Sequence, residues 1–246
     1  MNQKIFAVEL GLADYALALR VQRVLHARCR VTGENMLILT QHPPVITLGY
    51  RRSYEQLLVS VAELKERGIG LIETDRGGGA TYHGPGQLIA YPIFASLLRR
   101  TGVRKFISRL EEVMIRVCRD FAVSAERQTR LPGVWVQERK IGTVGIAVRR
   151  GVSLHGCALN VNVDLRPFAA IVPCGLPDKI VTSLAEERDQ PVPLGEVVGQ
   201  TRRHFAAVFA AAIEEMPDEW CRVERETRKS VLDYDQPSRA AECARS

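Results

Sequence analysis

The chain has no run approaching the roughly 20 apolar residues that a membrane-spanning helix requires. Its first residues, MNQKIFAVELGLADY, contain neither a basic segment nor an unbroken apolar one of the kind that opens a secretory leader. A cytoplasmic protein without membrane association is therefore expected. The six cysteines, Cys29, Cys118, Cys157, Cys174, Cys221 and Cys243, form no Cys-x-x-Cys pair. That spacing argues against a zinc site and against a secreted disulfide framework, so no metal is expected. Long charge runs are missing too. The net charge of +6 is carried by arginines in runs no longer than pairs, many of them beside acids, as in AEERDQ. This argues against a nucleic-acid-binding arm and leaves a mild basic bias suited to an acidic protein partner. Neither an internal repeat nor a low-complexity linker interrupts the chain.

What remains is 246 residues, 46% of them hydrophobic, enough for a substantial core. KIFAVELG reads as a strand, and residues 12–30 read as a helix in which Ala13, Leu17, Val21, Val24 and Leu25 recur at helical spacing. MLILT and VITLG are extended segments separated by Pro43 and Pro44. A short helix over 59–67, the strand GLIET, the strand LIAYPIF and a helix over 103–121 follow. Then come three strand-like stretches, GVWVQ, KIGTVGIAVRR and VSLHGCALNVNVDL, an irregular piece over 166–184, and a last helix over 195–213. The pattern predicts an α/β (α+β) fold with a mixed β-sheet flanked by helices. One domain over 1–229 and a flexible tail over 230–246 are expected.

Two stretches carry candidate chemistry. RGGGATYHGPGQ, residues 76–87, has the glycines of a phosphate-binding loop, but no Lys-Ser or Lys-Thr follows, and the next segment is a strand where both common nucleotide motifs need a helix. A plain structural turn remains as the alternative. VPCGLP, residues 172–177, sets Cys174 between proline and glycine, at a turn and not on a core face. Lys140, His83 and His155 are the residue types that could activate it, against the alternative of an inert thiol.

Taken in order, RGGGATYHGPGQLIAYPI, GVWV with RKIGTVGIAVRRGVSLHGCALNVNVDL, and IVPCGL with VTSL resemble the octanoyltransferase family, also called lipoate-protein ligase B. QHPPVITLGYR upstream is similar as well, so the resemblance spans about residues 36–184. It implies the catalytic-domain fold of biotin and lipoate protein ligases. It also implies transfer of an octanoyl group from octanoyl-acyl carrier protein to a lysine of the lipoyl domains of 2-oxoacid dehydrogenase complexes or of the glycine cleavage H protein.

By the same resemblance Cys174 is the acyl-accepting nucleophile and Lys140 completes a Cys/Lys dyad. Arg76, Gly77, Gly78, Gly79, Ala80, Thr81, Tyr82 and His83 form the substrate-contacting loop. Thr143, Val144 and Gly145, with Gly156, Cys157 and Ala158, form two further walls. Cys157 stands where the family more commonly has an apolar residue, and Thr143 where a smaller one is usual, so both bear on the acyl pocket. Tyr82 and His83 would shape that pocket, and Arg76 would face the carrier or acceptor.

Acyl transfer from a thioester to a thiol is nearly balanced in energy, and attack by an amine then makes a stable amide, so neither ATP nor another cofactor is expected. A cationic Lys140 would raise the thiolate fraction of Cys174. A lower thiol pKa also weakens the nucleophile, however, so proton transfer is the larger task for the lysine. Backbone amides beside RGGG or TVG are candidates for holding the oxyanion. Three alternatives stand beside this reading: a Cys/His pair using His83 or His155, an ATP-dependent ligase on the same scaffold, and a non-catalytic module that holds an acylated protein.

Overall fold

The computed structural model describes residues 3–51, 54–129, 131–172 and 181–221. Strand β1 (Gln3–Leu12) leads into helix α1 (Tyr15–Thr32), which returns the chain to β2 (Asn35–Gln41), parallel to β1. Both ends of α1 are encoded locally. The Asp14 carboxylate accepts from the amides of Ala16 and Leu17 at 2.8 and 3.3 Å, and Gly33 turns the chain out with φ of 74°.

Next come β3 (Val45–Leu48), the short helix α2 (Val61–Glu66), β4 (Gly70–Glu73), β5 (Thr81–His83) and β6 (Gln87–Ile93). Helix α3 (Ser96–Asp120) precedes β7 (Glu126–Gln128), β8 (Leu131–Val136), β9 (Arg139–Arg149) and β10 (Val152–Asn160). Helices α4 (Leu184–Arg188) and α5 (Leu194–Phe209) and strand β11 (Ala211–Glu215) follow. The large sheet has the order β11-β1-β2-β6-β10-β9-β8-β7, parallel only around β1 and antiparallel elsewhere, and a small sheet has the order β4-β3-β5.

The large sheet is covered on both faces, so its central strands read as continuous apolar runs. In β2, Leu37 and Leu39 enter a core with α3 and α5, while Met36 and Ile38 enter another with α1. The first core centres on Phe94, Phe106, Phe205 and Phe209, whose rings meet edge to face, tilted or stacked at 5.3–6.5 Å. A third core lies under the small sheet, around Ile46, Leu48, Tyr82 and Phe168.

Two expected helices have different limits. The last one ends at Phe209, not 213: Ala210 adopts φ of 50°, and the following residues pair in parallel with β1 from Gln3↔Ala211 to Ala7↔Glu215. The helix preference of the two alanines gives way to a ladder along an otherwise open sheet edge. Helix α3 begins at Ser96, and Gly102, with φ of 74° and ψ of 162°, interrupts it just before the expected start at 103. The three-residue strands β5 and β7 and the five-residue α4 are too short for a periodic signal. The proposed tail lies outside the described residues.

Candidate active site

The glycine loop joins β4 to β5 and folds around its own arginine. Arg76 is buried. Its Nε and Nη2 donate to Thr47 Oγ1 at 3.0 and 2.8 Å, and Nη2 also reaches the carbonyls of Thr47 and Gly79 at 2.6 and 2.8 Å. Nη1 donates to Gly77 O at 3.0 Å. The expectation that Arg76 faces a partner is thus corrected: a planar guanidinium with five donors is the means by which a loop short of side chains gathers its inward-facing carbonyls. A phosphate cradle would need these donors turned outward.

Close backbone approach explains two glycines around this loop. A Cβ on Gly49 would stand 1.9 Å from Gly78 O, and one on Gly145 would stand 2.9 Å from Gly77 O. The loop is seated on β9 by Gly77 N donating to Ile146 O at 2.9 Å, and on the segment before α2 by Ala80 N donating to Gln56 Oε1 at 2.6 Å. Those two amides are therefore committed and do not serve as oxyanion donors.

Between the loop and the large sheet lies a cavity open on one side. Arg76, Gly77, Gly78, Gly79, Ala80, Thr81 and His83 line it from the loop side, and Thr143, Val144, Gly145, Gly156, Cys157 and Ala158 line it from β9 and β10. Of the expected substrate-contacting residues only Tyr82 is absent. Alternation along β5 turns it away from its neighbours Thr81 and His83, and its ring packs edge to face on Phe168 at 5.3 Å. Tyr82 is therefore a core residue and does not shape the pocket.

Tyr15, Ile89, Tyr91 and His155 complete the lining and were not among the expected wall residues. Ile89 and Tyr91 were within reach of sequence reasoning, since alternation in β6 sets them on the face of Ala158, which pairs with Ile89. Tyr15 carried no such signal, because the first turn of a helix shows little periodicity.

On the cavity's buried side Tyr91, His42 and His83 form a hydrogen-bonded, neutral set. Tyr91 OH donates to His42 Nε2 at 2.7 Å, and His42 Nδ1–H donates to Ala13 O at 2.7 Å. His83 Nδ1–H donates to Gln87 Oε1 at 2.7 Å, and the Gln87 amide donates to Asn160 Oδ1 at 2.8 Å. The Asn160 amide continues to Thr182 O at 2.8 Å. Burial, with His42 close by, pushes the His83 imidazole down to about 3. A base that weak is poorly matched to proton abstraction near neutrality, which argues against His83 as the partner of a catalytic thiol. His155 Nε2–H donates to Asp75 at 2.6 Å and its Nδ1 is hydrogen-bonded to Tyr15 OH at 3.4 Å, so both ring nitrogens are engaged. The bond from His155 holds the Asp75 carboxyl well below the usual carboxylate range. Burial raises the Cys157 thiol to about 12, with the Glu111 carboxylate adding to the effect, which keeps it a neutral part of the wall.

Lys140 is buried on β9, three residues before Thr143, with Nζ 5.0 Å from the centre of the Trp135 ring. It does not itself line the cavity. Cys174 lies outside the described residues, but the chain on either side of it is anchored. Val172 N donates to Gln56 O at 2.8 Å, and Thr182 N donates to Lys140 O at 2.9 Å. Among the described residues, no group of three or more His, Cys, Asp or Glu is arranged to hold a metal ion.

The fold, a large mixed sheet with helices on both faces, is shared with solved lipoate ligases. Lipoate-protein ligase A bound with ATP superposes with a TM-score of 0.73 over 90% of this chain and 91% of that one, at 20% identity. A bi-partite lipoate protein ligase from Thermoplasma acidophilum gives 0.72 over 90% and 89%, at 22% identity. These likenesses concern the fold alone. Residues 14–206 match the family model of the lipoyl protein ligase A/B catalytic domain. The octanoyltransferase of Roseiflexus sp. (strain RS-1) is 47% identical over 205 residues, covering 81% of this chain and 85% of the relative. That of Alkaliphilus metalliredigens (strain QYMF) is 45% identical over 204 residues, covering 82% and 94%. The chain belongs to the lipoyl protein ligase A/B family and, within it, to the octanoyltransferases.

Proposed function

We propose that this protein moves an octanoyl group from octanoyl-acyl carrier protein, through a thioester on Cys174, to a lysine of a lipoyl domain or of the glycine cleavage H protein. Its octanoyltransferase relatives carry the activity, and the cavity supplies the structural support. The pocket's single guanidinium is turned onto Thr47 and the loop carbonyls, and the rest of the wall is backbone, apolar side chains, hydroxyls and hydrogen-bonded rings. Such a wall suits a hydrocarbon chain better than a phosphate. One catalytic domain over 1–229, working in the cytoplasm, is part of the same reading.

In the first step the Cys174 thiolate attacks the thioester carbonyl, the C–S bond to the carrier breaks, and the departing thiol takes a proton from Lys140. In the second, the acceptor amine attacks the acyl-enzyme, neutral Lys140 receives the amine's proton, and Cys174 leaves as thiolate. The anchoring of Val172 and Thr182 supports this pairing. Cys174 belongs to the segment whose near end, Val172, is bonded to Gln56. The other end of the segment is bonded to the backbone of Lys140 itself.

The test is to incubate the protein with octanoyl-acyl carrier protein without ATP, follow its intact mass, and then add apo lipoyl domain. A gain of one octanoyl group, lost again on Cys174→Ser, followed by an octanoylated domain, is the expected result. Strict dependence on ATP would make the chain a ligase, and binding without transfer would make it a carrier module. Lys140→Ala is expected to lower turnover by more than about a hundredfold. Near-normal transfer in that variant would remove the lysine from proton transfer.

A further inference from the structure

Octanoyl selectivity requires something that stops the chain, and the wall residues implied by the family resemblance do not include a stop. Gly78, at the cavity's rim, is exposed, and Gly77, Thr143, Val144 and Gly145 are half-exposed. The buried part of the lining includes Tyr15, Ala80, Ile89, Tyr91, His155 and Ala158, all at most 3% exposed, and the large side chains among them are the rings of Tyr15, Tyr91 and His155 and the side chain of Ile89. From the geometry of that buried side we infer that the Tyr15 ring, braced by His155 and Asp75, sets the acyl chain-length limit of the pocket. This inference rests on the acyl-binding reading of the cavity above.

Three features fix Tyr15 as a rigid end and not as an adaptable wall. It is the first residue of α1, directly after the Asp14 cap, so its backbone is held by the helix terminus. Its ring lies 5.0 Å from that of His42 and stacks at 6.1 Å on that of His83. Its hydroxyl is hydrogen-bonded to His155 Nδ1 at 3.4 Å. A ring enclosed on its faces and tied at its tip has no rotamer into which to retreat.

His155 itself is held in a backbone conformation that few non-glycine residues adopt, with φ of 56° inside β10. It persists there because three side chains grip it. Gln22 of α1 accepts from its backbone amide at 2.9 Å, Asp75 accepts its Nε2–H at 2.6 Å, and the Tyr15 hydroxyl is hydrogen-bonded to its other nitrogen. Asp75 immediately precedes Arg76 and also accepts from Arg149 at 3.1 Å, so the brace joins α1, β10 and the base of the glycine loop. Local strain maintained by surrounding bonds in a cavity wall is what fixed positioning of that wall requires.

The experiment compares octanoyl, decanoyl and dodecanoyl donors by kcat/KM and, separately, measures the Kd of octanoic and dodecanoic acids by calorimetry. Each methylene that finds a buried place improves binding by about fourfold. Tyr15→Ala is therefore expected to raise the dodecanoyl-to-octanoyl ratio at least tenfold in both measurements. Tyr15→Phe, which keeps the ring, should leave the ratio within about threefold of the parent. Tyr15→Leu, a milder truncation, should move the ratio in the same direction as Tyr15→Ala and serves if the alanine variant does not fold. An unchanged ratio in a folded Tyr15→Ala or Tyr15→Leu protein overturns the inference. Should the parent bind fatty acids with the expected length limit but transfer none of the acyl groups, the catalytic reading falls and the stop remains.

Discussion

The two faces of the large sheet bury side chains of opposite character. Against α3 and α5 stand Phe94, Phe106, Phe205 and Phe209, with no polar tip among the four rings. Toward the cavity stand Tyr15, Tyr91, His42 and His83, each ring carrying at least one hydrogen bond to a fixed partner. Both sets are almost wholly buried. Apolar rings gain from burial itself and tolerate any close packing, whereas polar rings gain only when every partner is met, so their positions are specified atom by atom. One face thus provides stability and the other holds a cavity of fixed shape.

The sharpest way to break that contrast is truncation. Phe205→Ala removes a fully buried ring stacked on Phe209 at 5.6 Å and is expected to cost about 3–5 kcal/mol in chemical denaturation. The chain-length ratio of the surviving folded protein should not move. Tyr91→Phe is the counterpart on the other face. It preserves ring volume but leaves His42 Nε2 without its donor, and the expected loss is about 1–3 kcal/mol from an unsatisfied buried acceptor. A fully neutral Tyr91→Phe would mean that the polar face is held by shape alone.

The contrast also accounts for what could be read in the sequence. The Phe face was legible, because Phe106, Leu110, Val113 and Val117 recur at helical spacing and all four enter one core. The glycine loop and the β9 and β10 walls were legible as motifs, and the cavity brings those segments together. The direction of Arg76 was not, since a charged side chain in a loop reads as exposed unless the carbonyls around it are known. Tyr82 was misassigned because a motif names consecutive residues, while a strand sends alternate ones to opposite faces. Tyr15 and His155 meet across 140 positions of sequence, and no local pattern encodes such a pairing. Strand β11 was hidden for a related reason: its partner is the first strand of the chain.

Acid titration separates the faces by a smaller but cleaner effect. Unfolded, the His83 imidazole takes up its proton near pH 6.5, whereas in the folded protein burial delays this to about pH 3. Between those values the unfolded chain binds more protons than the folded one, so stability must fall as the pH is lowered through that window. For this residue alone the slope approaches about 1.4 kcal/mol per pH unit. His42, also lowered by burial, adds to the slope in the same direction. Asp75 acts in that direction at lower pH, its contribution being present above the unfolded carboxylate value and lost as the pH falls through its depressed folded one. Denaturant unfolding between pH 7 and 4.5 should therefore show a steady loss. His83→Gln should lessen the slope by close to one proton, while Phe205→Ala should lower the whole curve and leave its slope intact. Equal slopes in His83→Gln and the parent would mean that His83 is protonated in the folded protein near neutrality, and the neutral character assigned to the cavity wall would have to be withdrawn.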